Sequence, residues 1–259
     1  MSERRFFVES LSKVGEEQRL NSKTARHLYV LRIPSGTHVL LFDRCARHVE
    51  AELVSLDEHH AVCRILRDID VTPHSARLVL VQCLPKGSKL ELSIRMATEL
   101  GVHAIHLAVS ERTISRPDRD RHKSRHARLA RIAQEASEQA QRDGVPEIAP
   151  AAPLHEVAGR APIDAGKIVF WEASQVSLDA GPRWEDMEEA WIIIGPEGGL
   201  SQTEICQLEG VGYTHHGLGR TILRVDTAVP VAIALVADRL GLWGNGAQGK
   251  RLIRPLSPC

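Results

Sequence analysis

The chain has 259 residues, 43% of them hydrophobic, and its 33 Lys or Arg balance 33 Asp or Glu. That length admits one large domain or two smaller ones with a sizeable core, and the zero net charge excludes a polycation acting through bulk charge. No apolar run approaches the roughly 20 residues of a membrane-spanning helix, and the five cysteines, at 45, 63, 83, 206 and 259, show no paired metal spacing. The odd cysteine count, with no apolar export signal in Met1 to Phe7, points to free thiols in a reducing cytoplasm.

Residues 1 to about 72 have the pattern of a small β-rich module. Arg5-Phe6-Phe7-Val8 is a first strand. Asn21 or Ser22 caps a short helix running to about Arg32. Thr37 to Phe42, His48 to Leu56 and Ala61 to Ile69 alternate like strands, with turn signals between them. Asp57-Glu58-His59-His60 is a turn; its His pair lacks a third ligand, which favours solvated histidines over a metal site. A small closed β-barrel is the natural way to leave no sheet edge.

Val71-Thr72-Pro73-His74 is the expected linker. Beyond it strands alternate with helices, the pattern of an α/β fold with a parallel sheet. Leu78 to Leu84 is a buried strand, Lys89 to Leu100 an amphipathic helix stopped by Gly101, and Ala104 to Val109 the next strand. From Arg112 to Arg131 there are eight Arg or Lys against two Asp, whereas His155 to Gly210 holds eleven acids and three bases. Such asymmetry gathers positive potential on one face, and backbone phosphates are its natural partner. The plainer reading is a solvated surface helix. From about His122 to Arg142 the spacing is helical, with Leu129, Ile132, Ala133 and Ala136 on one face. Glu135, Gln139 and Arg142 share another, where ordinary i,i+4 pairing is the simple alternative.

Gly166 to Trp171 is a further strand, ending at Glu172, a carboxylate placed to take a ribose hydroxyl or to sit in solvent. Trp191-Ile192-Ile193-Ile194 is a buried strand that breaks into Gly195-Pro196-Glu197-Gly198-Gly199-Leu200. Ser201 and Glu204 then have capping-box spacing. Tyr213 to His216 is short enough to pair as a strand, and Gly217-Leu218-Gly219-Arg220-Thr221-Ile222-Leu223-Arg224 is a second glycine loop. Asp226 or Thr227 is expected to cap the last helix, with Pro230 in its first turn and Gly241 as its stop. Two glycine loops, each leaving a strand for a helix, can form one ligand pocket if the strands are neighbours; ordinary tight strand-to-helix turns are the plainer reading. Neither is a Walker A motif or a true dinucleotide fingerprint. The tail from Asn245 to Cys259 is basic, with Lys250, Arg251 and Arg254.

Ile194-Gly195-Pro196-Glu197-Gly198-Gly199-Leu200-Ser201, followed by Leu218-Gly219 and Ile222-Leu223-Arg224, resembles the ribosomal small-subunit methyltransferase E family of the SPOUT superfamily. Arg5-Phe6-Phe7, His27-Leu28, Val30-Leu31-Arg32 and Phe42-Asp43 resemble its amino-terminal domain. Lys86, Thr98 to Gly101, Ser110-Glu111-Arg112, and Arg128, Arg131, Glu135, Glu138-Gln139, Arg142 match further motifs. Val225-Asp226, Met96 and Leu129 depart from the family's usual Thr-Glu, Lys and Trp.

The resemblance implies a PUA-like barrel over 1–72, a SPOUT methyltransferase domain with a trefoil knot over 73–245, and a basic tail over 246–259. It implies methylation of uridine N3 in 16S ribosomal RNA by S-adenosylmethionine, in a homodimer acting on 16S RNA or the 30S subunit, with no metal and no membrane. The implied cofactor residues are Glu172, Ile194, Gly195, Pro196, Glu197, Gly198, Gly199, Leu200, Leu218, Gly219, Ile222, Leu223 and Arg224. Arg5, Arg32, Lys86, Arg112, Arg116, Arg125, Arg128 and Arg131 are the RNA candidates. N3 must lose a proton, so Arg224 or Arg142 is expected to stabilise a uridine anion, or Glu135 to act as base. A ribose 2′-O-methyltransferase of the same superfamily and a non-catalytic RNA binder are the rival readings.

Overall fold

The computed structural model describes residues 5–43, 45, 47–70, 76–114, 122–181, 183–184 and 187–243. The expected linker at 71–74, Arg116 and the tail at 246–259 lie outside these described residues. The chain divides into two compact units, Met1–Pro73 with Ser137–Val145, and His74–Ala136 with Pro146–Cys259.

The first unit holds β1 (Arg5–Phe7), β2 (Glu17–Leu20), α1 (Ser22–Val30), β3 (His38–Phe42), β4 (His48–Leu56) and β5 (Ala61–Ile69). The sheet order is β1-β3-β4-β5-β2, with β1 parallel to β3 and the other pairs antiparallel. Alternation turns Val39, Leu41, Val49, Ala51, Leu53, Cys63 and Ile65 into one core with Ala25 and Leu28 of α1. That helix starts where expected: the Asn21 side chain accepts the Thr24 N–H at 2.8 Å. The β2 strand was not legible in the sequence, because only Leu20 of Glu17-Gln18-Arg19-Leu20 is buried and the pattern is polar. Its order comes from pairing with β5, Glu17 opposite Arg64 through Leu20 opposite Ala61. Segment 137–145 is tied to this sheet by the Arg5–Asp143 ion pair and by His48 Nε2, 2.7 Å from the Asp143 carbonyl.

The second unit contains β6 (Arg77–Cys83), α2 (Lys89–Glu99), β7 (Ala104–Val109), β8 (Glu147–Pro153), α4 (Leu154–Ala158), β9 (Gly166–Phe170), β10 (Glu189–Ile194), α5 (Gln202–Gly210), β11 (Thr214–His216) and α6 (Val225–Arg239). The remaining helix, α3 (His122–Gln139), begins here and ends in the segment assigned to the first unit. The sheet is parallel throughout, in the order β11-β9-β10-β6-β7-β8. Its central strands β6 and β10 are continuous apolar runs because both faces are covered. On one side Val81, Val169, Trp191 and Ile193 pack with Leu154 and Val157 of α4 and Ile205 and Leu208 of α5. Elsewhere α6 lies against β6, β10 and α2.

Two expectations at α6 are corrected. Arg224, not Asp226 or Thr227, is its N-cap, and no side chain caps it. Asp226 instead sits in the first turn, where its charge suits the helix dipole. Pro230 then falls in the second turn, so the Asp226 carbonyl loses its helical donor. Neither β8 nor α4 was anticipated: Glu147-Ile148-Ala149-Pro150-Ala151-Ala152-Pro153 looks unlike a strand. As the sheet's outer strand, β8 tolerates proline, whose missing N–H can face away from the ladder.

All four tryptophans (171, 184, 191 and 243) lie in the second unit, so their fluorescence reports its unfolding alone. Ile193 is fully buried, and Ile193→Ala is expected to lower the urea stability read by that signal by about 2–5 kcal/mol.

Candidate functional site

An open cavity lies beyond the carboxyl ends of β9, β10 and β11. Phe170, Trp171 and Glu172 line it from β9, Ile194, Gly195, Pro196 and Gly199 from β10, and Leu218 to Leu223 from β11, with Val225 and Ala228 of α6. The two glycine loops do converge, but not from neighbouring strands: β9 lies between β10 and β11 and adds a wall of its own.

Each loop has a local cause. At Gly199, φ is +69°, a left-handed conformation that favours glycine, and the Glu172 carboxylate lies against its open side. The Gly199 N–H closes the turn on the Pro196 carbonyl at 2.9 Å. Ser201 and Glu204 form the expected capping box, which launches α5. In the second loop Gly219 has φ +107° with nothing within 4 Å of a would-be Cβ, so its face is open to the cavity it lines.

Below this loop, Trp171 N–H donates to the His216 carbonyl at 3.0 Å, joining the exits of β9 and β11. His216 is 1% exposed. Burial is the largest influence on its ring and lowers its pKa, with His215 adding to that and the Ser177 carbonyl opposing it. The neutral ring donates Nδ1–H to Ser177 O at 3.0 Å, leaving Nε2 to accept from the Thr214 hydroxyl at 3.0 Å.

Nine of the thirteen residues expected around a cofactor line the cavity: Glu172, Ile194, Gly195, Pro196, Gly199, Leu218, Gly219, Ile222 and Leu223. The other four stand apart. Glu197 pairs with Lys89 Nζ at 3.1 Å and accepts the Lys86 N–H. Burial works against its charge, but hydrogen bonds from its own backbone, Lys89 and Lys86 prevail and hold its pKa below the usual carboxylate value. Gly198 lies under Arg112, Leu200 is in the core, and Arg224 is exposed at the α6 cap between cavity-lining Leu223 and Val225. Phe170, Trp171, Arg220, Thr221, Val225 and Ala228 were not singled out. Trp171 could have been, since it is the first residue beyond a buried strand.

Fit for a nucleotide-like cofactor follows from the lining: apolar residues that include Phe170, Ile194, Leu218 and Leu223, backbone of two glycine turns free to approach a ligand, and one carboxylate, Glu172, on an exposed residue. Among the described residues there is no group of three His, Cys, Asp or Glu that could hold a metal, and no helix long and apolar enough to cross a membrane.

The remaining candidates are spread more widely. Arg128 pairs with Glu91 at 2.8 Å, Arg131 lies 3.9 Å from Glu135, and Arg125 is half-buried, all on α3. Arg112 donates to the Gly198 carbonyl, and Lys86 is exposed. In the first unit, Arg32 is exposed just past α1 with φ +52°, and Arg5 holds Asp143. Arg142, also there, is lowered to about 10 by burial, against the charge of Asp143. Leu129, the departure from the family's Trp, is a core residue at 2% exposure.

A family model described as an RNA methyltransferase domain matches residues 72–237. The ribosomal RNA small subunit methyltransferase E of Synechocystis sp. is 30% identical over 215 residues, covering 80% of this chain and 68% of that protein. The protein of the same description from Bacillus subtilis is 27% identical over 255 residues, covering 90% and 95%. The crystal structure of a ribosomal RNA small subunit methyltransferase E from Neisseria gonorrhoeae, bound to S-adenosyl methionine, is similar with a TM-score of 0.82. It is 29% identical and covers 91% of this chain and 97% of that one.

His216 sets a pH dependence. Its folded pKa lies below 6.5, so between the folded and unfolded values the unfolded chain binds more protons and stability falls with falling pH. The contribution is intact above the unfolded value. Urea unfolding followed by tryptophan fluorescence is expected to weaken from pH 7 to pH 5, by up to about 1.4 kcal/mol per pH unit for one proton. His216→Gln should flatten that slope but not abolish it, because burial also lowers His106.

Proposed function

Because the chain belongs to the ribosomal RNA small subunit methyltransferase E family of the SPOUT superfamily, we propose that it transfers a methyl group from S-adenosylmethionine to N3 of a uridine in 16S ribosomal RNA. The observation that carries this reading is the cavity, where the glycine loops of two consecutive strand–helix units, and Trp171-Glu172 between them, surround one space. When bound, S-adenosylmethionine supplies an electrophilic methyl group. The chain's part is to bind, orient and manage a proton. Glu172 takes the ribose hydroxyls. Backbone groups of Ile194, Gly195, Pro196 and Gly199, and of Leu218, Gly219, Ile222 and Leu223, hold the adenine and methionine portions.

In this reading the two loops belong to a trefoil knot in a catalytic domain over 73–245. Residues 1–72 are a PUA-like barrel that grips RNA with the basic segment from Arg112, and 246–259 is a basic tail. The enzyme works as a cytoplasmic homodimer on 16S RNA or the 30S subunit. N3 lies on the Watson–Crick edge, so the uridine must be unpaired or flipped out of its stack. Arg224, exposed beside two cavity-lining residues, stabilises the uridine anion; an always-charged guanidinium is a poor base and a good anion partner. Arg142 is the second arginine for that role, and Glu135 the alternative as a base.

Two measurements check this. Gly219→Val forces a branched side chain to φ +107°, a strain of about 1–3 kcal/mol. Calorimetry with S-adenosylhomocysteine should give binding weakened about 5- to 150-fold; wild-type affinity in a folded variant rejects the pocket. The second is methyl transfer from labelled cofactor to 30S subunits and to naked 16S RNA, with nucleoside analysis of the product. N3-methyluridine is expected, and an O-methylated ribose rejects the reaction. In single turnover, Arg224→Lys should lose far more rate than Glu135→Gln while cofactor still binds. The reverse order makes Glu135 the base, a role worth about 10²–10⁴-fold.

A further inference from the structure

The first glycine loop, Gly195–Leu200, is held on its outer side by groups that do not line the cavity. Arg112, just past the end of β7, donates Nη1–H to the Gly198 carbonyl at 2.8 Å. Its stem covers Gly198: a Cβ on that glycine would come within 3.3 Å of Arg112 Cβ. One residue earlier, the Glu197 carboxylate accepts the Lys86 N–H at 3.1 and 3.2 Å and pairs with Lys89 Nζ at 3.1 Å. The turn that carries Arg112 is fixed in its own right. Ser110 N–H donates to Thr113 Oγ1 at 3.0 Å, and Glu111 N–H donates to Glu204 Oε1 at 2.8 Å.

A loop with three glycines in six residues has much conformational freedom to lose, and any part of that loss left until ligand binding weakens affinity. Charge-assisted hydrogen bonds are the strong means of removing it beforehand. We infer that Arg112 and Glu197 are positioning residues that clamp the first glycine loop from outside, so that Ile194, Gly195, Pro196 and Gly199 keep their cavity-facing geometry. Neither acts by touching the cofactor. The inference rests on the cavity being the cofactor site, but the clamp can be measured without cofactor. The competing role for Arg112, a direct grip on an RNA phosphate, has a different kinetic signature.

Amide exchange in the cofactor-free protein is the first readout. The Gly199 N–H closes the loop on Pro196 O, and the Ile205 N–H bonds Ser201 O inside α5. Arg112→Ala should speed Gly199 exchange and weaken S-adenosylhomocysteine binding, each about tenfold, the usual size for one hydrogen bond to a charged group. Ile205 should be unaffected. The KM for S-adenosylmethionine should rise in step, with kcat within about twofold of wild type. Arg112→Lys keeps a donor for Gly198 and should restore most of the loss. Glu197→Gln removes only the charge facing Lys89 and should show the same pattern at about threefold; it decides the matter if Arg112→Ala does not fold. Unchanged Gly199 exchange in these variants, or a rise confined to the KM for RNA, overturns the clamp. Absence of S-adenosylhomocysteine binding by the wild type overturns the cofactor reading instead, and leaves the exchange result to judge the clamp.

Discussion

The Glu204 carboxylate, 8% exposed, carries hydrogen bonds from two separate parts of the chain. One oxygen accepts the Ser201 N–H at 2.9 Å, and the other accepts the Glu111 N–H at 2.8 Å. A carboxylate taken out of water is costly unless its lone pairs are used; here both oxygens are, at a helix start where the dipole also favours negative charge. The consequence is geometric. The turn after β7 and the loop before α5 cannot move independently. Arg112 therefore meets Gly198 from a fixed origin, and the backbone between β10 and α5 has its shape set before any ligand arrives.

The parallel sheet supplies the rest of that shape. Its middle strands are covered on both faces, which leaves their carboxyl ends as the open side of the unit. Inserting β9 between β10 and β11 makes the pocket three-walled. The third wall brings Phe170 and Trp171 into the lining, with Glu172 as its carboxylate. Glu172 and Gly199 are neighbours: the carboxylate lies beside the glycine, whose positive φ shapes the turn. His216, neutral and bonded on both ring nitrogens, fixes the outer strand against the segment around Ser177.

Much of this was legible in the sequence, for identifiable reasons. Residues whose local chemistry decides their structure were placed well: the Asn21 cap, the Ser201–Glu204 box, the stop at Gly101 and the apolar run of β10. Elements whose order comes from partners were not. The polar β2 exists through pairing with β5, and the proline-bearing β8 through its place at the sheet edge. The cap of α6 was misplaced by two or three residues because Asp and Thr are strong caps in isolation, whereas this helix begins one residue after Arg224 without a side-chain cap. In the pocket the glycine turns were visible as motifs. That Glu197 and Gly198 face outward was not, since spacing within a tight turn does not say which side of the loop a residue meets.

The position of β9 also bears on how the pocket comes into being as the chain is synthesised. Ile168 sits between Ile192 and Thr214 in the sheet, so both partners of β9 emerge after it does. Until β10 follows, Ile168-Val169-Phe170 has two open edges, the condition under which apolar strands find wrong partners. Its pairings are non-local and parallel, a kind of contact that forms slowly. The walls span residues 170 to 228, so a nascent chain that has not reached Ala228 lacks part of the pocket, and ligand cannot help to fold it until then.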